Sequence, residues 1–215
     1  MTVLVASRAR SSPLPDMMGQ IADPDCNLAV WERAVPFALD GLLADWPRGP
    51  TRPDNLPKDV RFVARVTHLQ SALVSELDAA GFPQTSQRRA LIADIADLAT
   101  RFGAVMNAER LLVRLALVST NSCHKFHADY VKARLITTYR GTGTQWIEGE
   151  DAARLADTCE PAQINTLNEG DVGLFKGKMW TREPVIHRSP PIEGSGEMRL
   201  LLVLDPAPEP ASQAV

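Results

Sequence analysis

The segment CHKFHADY, Cys123–Tyr130, gathers two of the chain's four histidines, one of its three cysteines and an aspartate. Three kinds of chemistry use such residues: a divalent metal site, a thiol nucleophile with an imidazole base, and a structural imidazole–carboxylate hydrogen bond. On an extended chain, side chains two residues apart share a face. If residues 127–139 are extended, His127 and Asp129 lie on the face of Val131, Ala133, Leu135 and Tyr139. Cys123 has the same parity, whereas His124, Lys132 and Arg134 have the opposite one, which puts Arg134 on a solvated face. A carboxylate carried inward on such a face needs ligation or a counter-charge, because burying it unpaired is costly. A metal ion supplies that. Two imidazoles and one carboxylate suit iron(II) with open coordination positions, and an added Cys123 thiolate suits zinc(II) as well.

The third ligand comes from outside this segment. His68 falls in a helical region, at a strand-to-helix join. His187, in PVIHRSPP, falls on a short strand stopped by Pro190 and Pro191, and is the better candidate. Twelve residues further on, Arg199 opens the apolar strand RLLLVLD. An arginine at the mouth of such a strand reads as an anion binder, because its planar fork grips a carboxylate through two parallel hydrogen bonds.

The elements that position these residues change character once. Residues 36–106 read as mostly helical, with apolar stripes in PFALDGLLADW, SALVSELDAAG and SQRRALIADIADLATRFGAVM. Ser86 is the expected cap of the last. RFVARV reads as a short strand. From residue 110 onward, LLVRLALVS, VKARLITTY, TQWIE, QINTL, DVGLF, PVIHRS and RLLLVLD read as strands separated by glycine-bearing turns. The expected fold is α+β: a helical N-terminal layer (17–109) packed on an antiparallel jelly-roll or cupin-like β-fold (110–205). The two share one folded unit, 17–205, between a flexible lead-in (1–16) and a disordered tail (206–215).

The pattern His127-x-Asp129, His187, Arg199 on short strands resembles the iron(II)- and 2-oxoglutarate-dependent dioxygenase superfamily over roughly residues 110–205. NEGDVGLFKG resembles the superfamily's turn and strand before the distal histidine. The resemblance implies a double-stranded β-helix in which His127, Asp129 and His187 hold iron(II). It also implies 2-oxoglutarate as cosubstrate, its distal carboxylate on Arg199, with Tyr139 or Ser189 adding a hydroxyl. Leu201 departs from the pattern, standing where the superfamily often has serine. The run CHKFHADYVKARLITTYRGTGTQW…HRSPP also resembles a bacterial family of unknown function.

Composition bounds the rest. A net charge of −3 gives no electrostatic reason to expect nucleic acid or an anionic membrane. No apolar run approaches the ~18 residues of a membrane span. The start MTVLVASRAR has its apolar run before its charges, unlike a secretory leader, and three scattered cysteines suit a reducing compartment, so a cytoplasmic protein is expected. The substrate is expected to be a small molecule or an amino-acid side chain. Two alternatives stand: a non-redox zinc(II) protein using Cys123, His127, Asp129 and His187, and a cupin-like isomerase or hydrolase using a metal as Lewis acid. Arg199 aimed at the metal favours the oxygenase, and a Cys123–metal bond favours zinc.

Overall fold

The computed structural model describes residues 8–39, 56–153 and 161–208. Ten strands follow in chain order: β1 (Ala9–Ser12), β2 (Leu28–Trp31), β3 (Val60–Arg65), β4 (Arg110–Val118), β5 (Ala133–Arg140), β6 (Gln145–Ile147), β7 (Asn165–Thr166), β8 (Val172–Lys176), β9 (Ile186–Arg188) and β10 (Arg199–Pro206). They form a seven-stranded sheet, β1-β2-β8-β5-β10-β4-β3, and a three-stranded sheet, β7-β6-β9. All neighbours pair antiparallel except β1 and β2. Strand β10, interior to the large sheet, is buried from Arg199 through Asp205. Its run of leucine and valine without polar alternation reflects cover on both faces.

The two faces of the large sheet have separate cores. Leu28, Val30, Ile136, Phe175, Leu201 and Val203 meet Leu167 and Val185 on the side of the small sheet. Ala133, Leu135, Tyr139, Leu200, Leu202 and Leu204 face the other way, into a core shared with α1 (Leu69–Ala79) and α2 (Ser86–Met106). Leu91, Ile95, Leu98 and Phe102 form the fully buried stripe of α2 at helical spacing. Its cap is Thr85 rather than Ser86: the Thr85 side chain accepts from the Arg88 N–H, and Asn107 ends the helix in the left-handed region at φ 48°.

Three expectations change. The large sheet reaches beyond residues 110–205: β2 and β3 lie within the expected helical layer, β3 being the short strand read at RFVARV, and β1 lies within the expected flexible lead-in. Strand edges left by β8 and β4 hydrogen-bond to these short segments. Of PFALDGLLADW, Phe37–Leu39 form a 3₁₀ turn and residues 40–46 lie outside the described residues. The alternation read from His127 to Tyr139 is also broken. Residues 130–132 bend before β5 begins at Ala133, so Ala133, Leu135 and Tyr139 face the helices. No helix among the described residues is long and apolar enough to cross a membrane.

One polar lock ties the helical layer to the sheet. Arg33 grips Asp94 of α2 through Nη1 (2.6 Å) and Nη2 (2.9 Å), and the Tyr139 hydroxyl donates to Asp94 Oδ2 (2.6 Å). Asp94→Ala leaves a buried arginine and a buried hydroxyl without their acceptor. It should cost about 3 kcal/mol of stability in urea unfolding, against about 1 kcal/mol for Tyr139→Phe.

Candidate metal centre

The loop before β5 meets β9 through a single antiparallel bridge between His127 and His187. Each backbone N–H donates to the other's carbonyl, at 3.0 Å from His127 and 2.9 Å from His187. That pairing sets the two imidazoles side by side, with ring centroids 4.8 Å apart. Phe175 packs on the His187 ring at 4.9 Å between centroids. Each Nδ1 lies against a carbonyl that can only accept: Lys125 O for His127 (2.8 Å) and Val185 O for His187 (3.1 Å). Nδ1 therefore carries the proton, and in the neutral ring Nε2 keeps its lone pair. Both Nε2 atoms turn toward Asp129, that of His127 3.6 Å from Oδ1 and that of His187 3.2 Å from Oδ2. One ligand atom from each of the three residues lies within 4.8 Å of the others.

Two imidazole lone pairs converging on a carboxylate call for a cation among them. Asp129 Oδ2 is buried and accepts no hydrogen bond of good geometry, although Arg134 Nη1 stands at ion-pair distance, 2.7 Å. The donor set fits a divalent ion, and the tautomers fixed through Nδ1 are the usual support for ligating histidines. Burial alone would raise the Asp129 carboxyl. When no metal is bound and an imidazole is protonated, its Nε2–H donates to Asp129; these hydrogen bonds, with the charges of His187 and Arg134, outweigh burial and hold the carboxyl well below the usual carboxylate range. The same hydrogen bond to Asp129, partly offset by burial, raises His127.

Arg134 is the functional residue that the sequence reading left on a solvated face. Its Nε and Nη2 grip Asp205 at the end of β10 (2.7 and 2.9 Å), while its third nitrogen serves Asp129. The guanidinium thus fixes the triad carboxylate to interior strand β10. The signal available in the sequence was Asp205, an acid closing a run of five apolar residues.

Arg199 is fully buried, the largest such side chain among the described residues. Its Nη2 donates to Thr138 Oγ1 (3.3 Å), while Nε and Nη1 have no partner. Burial lowers it to about 10, against the opposing pull of Glu197, so the guanidinium stays charged at neutral pH. A register shift between Leu200 and Leu201 skips Tyr139 and brings Leu201 opposite Thr138.

The other sequence candidates go elsewhere. Tyr139 turns to the helices and bonds Asp94. Cys123 is an exposed free thiol in the left-handed region, φ 56°, and does not join the cluster of possible ligands. The turn at Asn121–Cys123 breaks the parity that had placed it inward. Its carbonyl accepts from the Ser189 N–H (3.0 Å), which holds Ser189 beside His187. His124 is exposed, its Nδ1 on Asn121 O. Arg188 donates to Gln145 and covers the Phe126 ring, leaving His187 clear of its charge.

Residues 12–205 match the model of a family described as protein of unknown function, DUF1826. The curated proteins contain no match. Among solved structures, the dioxygenase for auxin oxidation from rice is 13% identical, with a TM-score of 0.51, covering 89% of this chain and 78% of that one. A prolyl-4-hydroxylase from Pseudomonas putida is 12% identical, with a TM-score of 0.47, covering 92% and 100% respectively. A 2-oxoglutarate complex of the auxin dioxygenase from Arabidopsis thaliana is 13% identical, with a TM-score of 0.43, covering 82% and 74%. The likeness to the rice enzyme is one of fold, a mixed α+β chain built mostly of sheet.

Cobalt(II) titration of the metal-free protein should show one tight site, lost in His187→Ala and unchanged in Cys123→Ser, without a sulfur-to-cobalt charge-transfer band. Arg134→Met should destabilise the metal-free protein by about 3 kcal/mol, because two carboxylates lose their cation. Added cobalt(II) should restore part of that loss in thermal melts.

Proposed function

The chain belongs to the DUF1826 family, and we propose that it is a non-haem iron(II)- and 2-oxoglutarate-dependent oxygenase of the hydroxylase type. The observation that carries this reading is Arg199: a fully buried guanidinium with two unpartnered nitrogens, Nε and Nη1, in a fold whose one triad of metal-ligand type is His127, Asp129 and His187. The triad count refers to the described residues. A metal store has no use for such a cation, whereas a diacid cosubstrate does. Arg134 and Thr138 are four residues apart on β5, about 13 Å. Arg134 reaches Asp129 and Thr138 receives Arg199, so Arg199 and the triad are linked to opposite ends of one strand face. An arginine side chain and a five-carbon diacid together span that distance.

His127, Asp129 and His187 would hold the iron through two Nε2 atoms and a carboxylate oxygen. Bound iron(II) with 2-oxoglutarate supplies dioxygen activation coupled to oxidative decarboxylation of the cosubstrate. Arg199 would hold the distal carboxylate, with the hydroxyl role passing from Tyr139 to Thr138 and with Ser189 as a second hydroxyl beside His187. Lys125 O and Val185 O keep the imidazoles oriented. Phe175, Val185 and Leu201 line the interior with apolar surface that excludes water. The substrate would be a small molecule or an amino-acid side chain.

Anaerobic addition of iron(II) and then 2-oxoglutarate should produce a visible metal-to-ligand charge-transfer band. Arg199→Met should weaken 2-oxoglutarate at least tenfold, the loss of one charge-assisted pair, while iron(II) binding persists. Tight zinc(II) binding with no such band would sink the reading.

A further inference from the structure

The two loops that flank the triad are tied to each other. The Lys178 N–H donates to Asp129 O (2.9 Å), Gly177 N–H to Lys132 O (3.0 Å) and Met179 N–H to Val131 O (3.1 Å). A Cβ on Gly177 would stand 2.2 Å from Val131 O, so only glycine permits this approach. Segments 129–132 and 177–181 therefore form one rim built on the backbone of a triad residue.

That rim is cationic in a chain of net charge −3. Lys125, Lys132, Lys178 and Arg182 are exposed, and no carboxylate among the described residues pairs with any of them. The Lys132 ammonium rests on the Trp180 ring, 5.0 Å from its centroid. The carboxylates of the same loops are occupied: Asp129 in the triad, Glu183 in an ion pair with Arg8. Between the cations stand Tyr130, 80% exposed, and Met179, 63% exposed. Lys178, Met179, Trp180 and Arg182 line an open groove of about 480 Å³.

We propose that this rim docks an acidic, extended polypeptide segment that presents one residue to the triad. The proposal rests on the reading of the triad as the reaction centre and names its substrate class. Unpaired cations select an anion, and their charge draws it to the site. The open groove decides against a small molecule, whose site would enclose most of its surface. Four cations around a methionine and one exposed tyrosine, on an acidic protein, fall short of the long basic track and repeated stacking platforms of a nucleic-acid channel.

The test is fluorescence anisotropy of the whole, metal-free chain with a labelled dodecapeptide of glutamate, alanine and leucine. A second peptide with glutamine at every glutamate is the reference. The acidic peptide should bind at least tenfold more tightly, and added salt should weaken it. Lys132→Glu/Lys178→Glu should weaken it at least tenfold and Tyr130→Ala/Met179→Ala at least threefold. All four positions are exposed, and unchanged circular dichroism and melting check the fold. Equal binding of the two peptides, indifference to charge reversal, tighter binding of a dodecathymidylate, or displacement by equimolar succinate would each overturn the proposal. No turnover is read, so the two readings fail separately. Selective peptide binding without the charge-transfer band ends the oxygenase alone; the band without selective binding ends the docking rim alone.

Discussion

A carboxylate between two β-sheets has to be neutralised, and Arg134 does this for two of them at once. Its guanidinium spans Asp129, ahead of β5, and Asp205, at the end of β10. Removing either acid would leave the cation short of partners; removing the cation would leave both acids in low dielectric. Because Asp205 belongs to β10, which is paired on both sides, the irregular loop that carries His127 and Asp129 is held by the interior of the sheet. The His127–His187 bridge adds the small sheet to the same arrangement, so three separate stretches of chain converge with little freedom to drift.

Strand β5 shows how one stretch serves two purposes. Toward the helices it sends Tyr139 into the lock with Asp94 and Arg33, which joins the helical layer to the sheet. Toward the small sheet it sends Arg134 and Thr138, the two groups that connect the triad to the buried Arg199. Polar residues on both faces of a strand buried on both sides are costly unless paired. Here each one is, and the pairing fixes which way the strand faces.

Much of this was legible in the residues. Strands β4, β5, β8 and β10 and helix α2 follow from runs and stripes of apolar residues, and His127, Asp129, His187 and Arg199 stand out by type and spacing. What failed has a common cause. Parity holds only while the chain stays extended, and the bends at residues 130–132 and the turn at Cys123 reset it. Tyr139 and Cys123 were therefore assigned to the wrong side, and Arg134 to the solvent. The short strands β1 and β2 escaped notice for a different reason. Four residues carry no periodicity worth reading, and they become strands only because a neighbouring edge offers them hydrogen bonds.

The position of β10 also bears on how the protein is made. This strand is the last among the described residues, yet it lies between β4 and β5, which are synthesised far earlier. It carries both Asp205 and Arg199. Until it emerges from the ribosome and inserts between those two edges, Arg134 lacks its anchor and the triad carboxylate lacks its fixed place. Pairings of such long sequence separation form late and slowly. The triad is therefore fixed in place only once β10 has been made, when His127, Asp129 and His187 have already been synthesised.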